Sequence, residues 1–172
     1  MHPGLPPIGA EIPCSILAIG ANLEYDGKSI PLDFRGGIKY RVDVNPDDPM
    51  NSVRLRIVGH RVTAEGPDGM TVTIEQNDID VDAKSLLKRT QPFPPKYEQV
   101  DVLSFTLVIE KPKSEPAVLV TKDPMRQVAT LTQFPPKGDQ YTLQSPVELI
   151  DVENPDKVVA RLTSFTAKQG GL

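Results

Sequence analysis

Cysteine, histidine and tryptophan are nearly missing from this chain. Its 172 residues include one cysteine, two histidines and no tryptophan. Cys14 alone forms no intrachain disulfide, so a reducing, cytoplasmic compartment is the simpler expectation. One cysteine with His2 and His60 cannot supply the four ligands of a structural zinc site. No metal or other cofactor is therefore expected. Aromatic residues make up 5%, too few for platforms on which bases or sugars stack, and the net charge is −4. Such a chain lacks the basic excess that displaces counterions from nucleic acid, so no nucleic-acid partner is expected. No apolar run is long enough for a membrane-spanning helix, and no membrane partner is expected. The apolar stretch 14–21 follows Glu11 and four prolines, with no Lys or Arg before it. It reads as a strand rather than a secretory signal. Glycine-rich nucleotide loops, the GxSxG elbow and the HExxH zinc motif are absent as well.

Proline is abundant instead, at 18 residues, among many Val, Ile and Leu. A chain of this length buries roughly 70% of its extended-chain surface, enough for one core. Ile38, Tyr40, Val42 and Val44 alternate with Lys39, Arg41 and Asp43, the period of a half-buried strand. Residues 45–49, Asn-Pro-Asp-Asp-Pro, break it with turn chemistry. Val53, Leu55 and Ile57 resume the alternation. At Val58 the phase slips beside Gly59, and Val58, Val62 and Ala64 take over, which predicts a β-bulge or a change of face. Glu65–Gly69 predicts a turn, and Met70, Val72 and Ile74 complete a hairpin. Residues 82–89 predict one short helix, with Asp82 as cap, Lys88 and Arg89 at its negative end, and Val81 against Leu86 as a staple.

The second half carries a repeat. Phe93-Pro94-Pro95-Lys96 leads to Gln99, and Phe134-Pro135-Pro136-Lys137 leads to Gln140, an offset of 41 residues. Strand-like segments 100–110 and 117–121 follow the first phrase, and 141–152 and 157–166 follow the second. At that offset Ser104 meets Ser145, Ile109 meets Ile150 and Val118 meets Val159. The expected fold is all-β: an antiparallel sandwich or barrel of about 7–10 strands built from hairpins. The expected organisation is a proline-rich arm (1–10), a single domain (11–168) with a possible duplicated unit (93–123 and 134–164), and a flexible tail (169–172).

Chemistry is sparsely signalled, and no catalytic residue is assigned. His60 lies in phase with Val58 and Val62 but has no nucleophile or orienting acid at a telling spacing. Cys14 has no cationic neighbour to activate it. Asp78, Asp80 and Asp82 resemble the start of a calcium loop, but Ala83 and Arg89 stand where that loop needs Gly and Glu. Glu148 with Asp151, or Asp101 with Glu110, forms a carboxylate couple only if the fold brings the two together. The basic face of the first half is more specific. Pairing Val44 with Val53 sets Asp43 opposite Arg54 and Arg41 opposite Arg56. Two arginines directly opposed destabilise a sheet unless an anion or an acidic group sits there. Lys39, Arg41, Arg54 and Arg56 are thus candidates for binding an acidic partner or an anion.

Two main readings follow. The first is a non-enzymatic β-sandwich that mediates protein–protein contact or self-assembles into an oligomer, through its sheet edges and basic face. The alternative is a small β-barrel that binds an apolar small molecule as a carrier, cyclase or isomerase. Tyr40, His60, Tyr97 and Tyr141 would line its pocket, with Glu148 a further candidate. A hydrolase or metal-dependent enzyme is the least supported class, and enzymatic activity is left open, leaning against.

Overall fold

The computed structural model describes residues 4–79 and 84–171. Strands dominate it. The first three are long: β1 (Glu11–Tyr25), β2 (Lys28–Val44) and β3 (Ser52–Glu65). Ten shorter strands follow: β4 (Thr71–Gln76), β5 (Leu86–Pro92), β6 (Pro95–Leu103), β7 (Phe105–Glu110) and β8 (Ala117–Thr121). The rest are β9 (Met125–Leu131), β10 (Lys137–Leu143), β11 (Val147–Asp151), β12 (Asn154–Ser164) and β13 (Ala167–Gly171). A 3₁₀ turn, Pro67–Gly69, sits in the predicted turn between β3 and β4. Among the described residues no helix is long and apolar enough to cross a membrane.

The pairing closes twice. One ring runs β1-β2-β3-β4-β7-β8-β11-β12 and returns to β1. The other runs β1-β2-β3-β5-β6-β9-β10-β13 and returns to β1. Both rings are antiparallel throughout, and β1, β2 and β3 belong to both. The chain therefore makes eight passes back and forth. Three passes are continuous strands, and five are broken into one piece for each barrel. Of the sandwich and barrel expectations, the pairings realise the barrel. Each strand has neighbours on both sides, so the open edges that would template association are absent among the described strands.

The predicted phase slip marks the passage of β3 between the barrels. Lys39 pairs with Gly59 and Tyr40 with Ile57, which leaves Val58 as the extra residue of a bulge. Before the bulge Val53, Leu55 and Ile57 are buried; after it His60, Val62 and Ala64 are. Val58 itself, expected inside, is 38% exposed. Below the bulge β2 and β3 approach closely. A Cβ on Gly36 would overlap the Arg61 carbonyl, so only glycine fits there.

The helix expected over residues 82–89 is a correction. Leu86–Arg89 lie in β5, paired with β6 and with β3 at Val53 and Arg54. Tertiary pairing overrides a weak two-turn helical signal. Val81, Asp82 and Ala83 lie outside the described residues. The expected tail is also corrected for residues 169–171. They end β13, paired with Cys14, Ser15 and Ile16, and Gln169 is buried. The described part of the arm packs against the barrel. Leu5 enters the core, Gly9 N donates to Val42 O at 2.7 Å, and Tyr97 Oη donates to Gly4 O at 2.6 Å. These contacts lay the arm across the outer end of the second barrel.

Candidate functional site

The two barrels have equal strand numbers and unlike interiors. The first is filled by apolar side chains, among them Leu23, Leu32, Phe34, Val62, Ile74, Leu107, Leu149 and Leu162. Phe34 and Phe165 stack with ring centroids 5.4 Å apart. The second carries a belt of buried polar groups halfway along: Tyr40, Gln99, Asp101, Gln127, Tyr141 and Gln169, with Cys14 beside them. Closing an eight-stranded ring does not demand such a belt, as the first barrel demonstrates.

Alternation aims these side chains inward. On β6 the buried Tyr97, Gln99, Asp101 and Leu103 share one face; Tyr141 and Gln169 do the same on β10 and β13. They meet across the lumen. Tyr141 donates to Gln99 Oε1, and Gln99 Nε2 donates to Asp101 Oδ1 at 2.8 Å. Tyr40 Oη lies 2.5 Å from Asp101 Oδ2 and 2.9 Å from Gln169 Oε1. One hydroxyl proton cannot serve two acceptors. With Asp101 neutral, its O–H donates to Tyr40 and the Tyr40 O–H donates to Gln169. The chain from Tyr141 to Gln169 then runs in one direction with no bond lost. Ionising Asp101 takes the Tyr40 proton away from Gln169.

Burial reinforces that preference. It pushes the Asp101 carboxyl up to about 6, against the opposing hydrogen bonds from Tyr40, Gln99 and Gln169. Burial and the nearby Asp101 push the Cys14 thiol up to about 11, so it is a poor nucleophile. Burial raises the Tyr40 and Tyr141 hydroxyls above their ordinary range, and Asp101 adds to the effect. They are donors near neutral pH. Gln127 is a spacer of another kind: its Nε2 donates to Phe165 O at 3.1 Å, tying the belt to the waist between the barrels.

The tyrosines and His60 named from residue type do not share one pocket. Tyr40 and Tyr141 reach the belt. Tyr97 holds the arm at the outer end. His60 is buried on the other side of the bulge and lines an outer cleft. Glu148 is on the surface, paired with Arg161 at 2.7 Å. Asp101 and Glu110 form no couple, because they stand in different barrels. The basic face has the anticipated register: Arg41 opposite Arg56 and Asp43 opposite Arg54. Lys39 is satisfied by Glu11 at 2.8 Å, and Arg41 Nε lies 3.6 Å from Asp43. Arg54 Nε is buried without a partner among the described residues. Asp78 is exposed; Asp80 and Asp82 lie outside the described residues.

Sequence reading missed Gln99, Gln127 and Gln169 as site residues, and considered Asp101 only as a partner of Glu110. On β6 Val100 and Val102 suggest the opposite face as the inner one. The available signal was a strand with apolar residues on one face and amides with an acid on the other, which fits two buried faces rather than one.

No family model matches the chain, and no curated protein matches it. A solved structure has the same fold: DynF from the dynemicin biosynthesis pathway of Micromonospora chersina. The two share 18% identity with a TM-score of 0.72, over 99% of this chain and 87% of that one. The likeness is one of fold.

Proposed function

We propose that this chain binds an apolar small molecule carrying one polar group, with the second barrel as its container. The observation that carries the reading is the polar belt inside a closed ring of strands, beside a sister barrel that does without one. The first barrel closes without such a network, so the donors and acceptors gathered in the second support recognition of a ligand hydroxyl or carbonyl that exchanges into the chain. The similarity to a protein of a biosynthesis pathway supports a small molecule over a protein partner, and closure of both rings removes the sheet edges on which self-assembly rested. The outer end is the way in. There the arm and the β2–β3 loop bound a groove of about 390 Å³, lined by Leu5, Pro6, Pro7, Ile8, Val44 and Val53. The ligand body lies in that groove and displaces Leu5; its polar group meets the belt.

A second reading, catalysis as a cyclase or isomerase, is favoured by one observation. Asp101, with its carboxyl near 6, Tyr40 bonded to it directly and Tyr141 reached through Gln99, has the proton affinity of a general acid–base near neutral pH. Under either reading, titration with an apolar environment-sensitive dye tests whether the second barrel takes a ligand. Binding is expected, strengthened by Leu5→Ala, which loosens the plug, and weakened about tenfold by Tyr141→Phe, as one lost hydrogen bond implies. No binding by the native chain, or indifference to both changes, would remove the lumen from the account.

A further inference from the structure

The mouth of the second barrel carries exposed apolar side chains on three separate segments. Ile8 of the arm and Val44 at the end of β2 line the entry groove, with Pro49 of the β2–β3 loop beside them. Met50 follows in that loop. Arg89 N donates to Asn51 O at 2.7 Å, which seats the end of β5 next to it. Phe93 stands on the turn after β5. Ile8, Val44, Met50 and Phe93 are all exposed, Phe93 by 88%. They form an apolar crest along one side of the mouth, from the arm to the β5–β6 turn.

The repeat supplies an internal comparison. Phe134, the counterpart of Phe93, packs on the core with its ring centroid 6.1 Å from that of Tyr40. The same phrase can bury its phenyl ring, and in the first copy it does not. Apolar side chains gathered at an opening mark a contact surface. The backbone of the crest suits an apolar phase. Pro6, Pro7, Pro49, Pro92 and Pro94 have no N–H to leave unbonded. Pro94 O accepts from Gln91 Nε2 at 2.8 Å, and Gly9 N is spent on Val42 O. A protein interface is knit by many hydrogen bonds, whereas hydrocarbon offers none, so a crest poor in free donors favours lipid. Charge at the rim has both signs, Lys88 and Lys96 against Asp47 and Asp48. Such a rim has no preference for an anionic surface.

We infer that this crest docks the mouth of the second barrel on a neutral lipid bilayer, with Phe93, Met50, Val44 and Ile8 entering the boundary between headgroups and acyl chains. Surface docking is driven by buried apolar area and needs no spanning helix, so the lack of one does not oppose it. What the contact delivers rests on the second barrel as a container: an apolar molecule passes from the bilayer into the groove without crossing water.

The test is flotation of the full chain with phosphatidylcholine vesicles, paired with dye titration in their absence. The native chain is expected to float, with the same bound fraction in high salt and when half the lipid is phosphatidylglycerol. Phe93→Ser should lower vesicle affinity about tenfold, the worth of one large apolar side chain withdrawn from water. Val152→Ser changes an exposed valine in the β11–β12 turn of the first barrel and should leave it unchanged. The chain has no tryptophan, so Phe93→Trp places a single reporter on the crest, and its emission should shift to the blue on vesicles. Failure to float, affinity indifferent to Phe93→Ser, or binding that only anionic lipid supports would overturn the inference. So would self-association that Phe93→Ser abolishes, since the crest would then cover a second copy. Dye uptake is read separately: its absence from the native chain, with flotation kept, would remove the container and leave the docking surface standing.

Discussion

Asp101 and His60 are buried ionisable groups whose titrations act on stability in opposite directions. The Asp101 carboxyl rises from 3.8 to about 6 in the fold. Between those values the native state holds a proton that the unfolded chain has released. Stability therefore falls as pH rises through this window, by on the order of 3 kcal/mol. Burial lowers the His60 imidazole from 6.5 to about 4, so the unfolded chain binds the extra proton. Stability then falls as pH drops from 6.5 towards 4, by a similar amount. The two slopes oppose each other from about pH 4 to 6. Urea unfolding of Asp101→Asn should expose the acid-side loss that the native chain masks, and His60→Gln should expose the loss on raising pH. Parallel profiles for all three proteins would contradict the burial of these groups. Tyr40→Phe removes a hydrogen bond that holds the Asp101 proton affinity down, so the carboxyl, followed by its carbon-13 shift, should titrate above 6.

Each broken pass of the chain switches barrels at its break, while β1, β2 and β3 switch without breaking. For β3 the device is the Val58–Gly59 bulge; for β2 it is Gly36, pressed against the Arg61 carbonyl. Gly36→Ala is expected to lower stability by about 3 kcal/mol or more, through forced separation of the two strands. Gly37→Ala, whose new Cβ would lie 3.2 Å from the Cys14 carbonyl, should cost much less. Equal melting temperatures for the two variants would refute this account of the waist. The bulge was legible in the sequence, because a phase slip beside glycine has few other causes. The register of β2 with β3 was legible too, since one shift would turn Val42 and Leu55 outward. The strand β5 was not. Its Leu86 and Leu87 lack alternation, and its place is set by β3 and β6, which lie far off in sequence.

The Phe-Pro-Pro-Lys repeat shows what one sequence can and cannot reveal about the whole molecule. Both copies are turns at the outer end of the second barrel, joining β5 to β6 and β9 to β10. Both Phe–Pro bonds are cis. After each turn the chain crosses to the first barrel, makes a hairpin and returns. The equivalence is not the offset of 41 read from the phrase, however. A register shift between Lys137 and Asp139, at Gly138, displaces the second copy by one residue. Gln140 is consequently exposed where Gln99 is buried, and Tyr141 takes the inward place. The belt stayed illegible for a related reason. Its members are scattered from Cys14 to Gln169 and meet only because the ring closes, which no local pattern records. The central claim, that the second barrel holds a small molecule, is tested most directly by native mass spectrometry. The protein would be purified without denaturation and then incubated with a lipophilic extract of its source cells. One adduct per chain is expected, reduced in Tyr40→Phe/Tyr141→Phe and kept in Arg41→Thr/Arg56→Thr. A bare spectrum before and after incubation, or an adduct indifferent to loss of the belt hydroxyls, would contradict it.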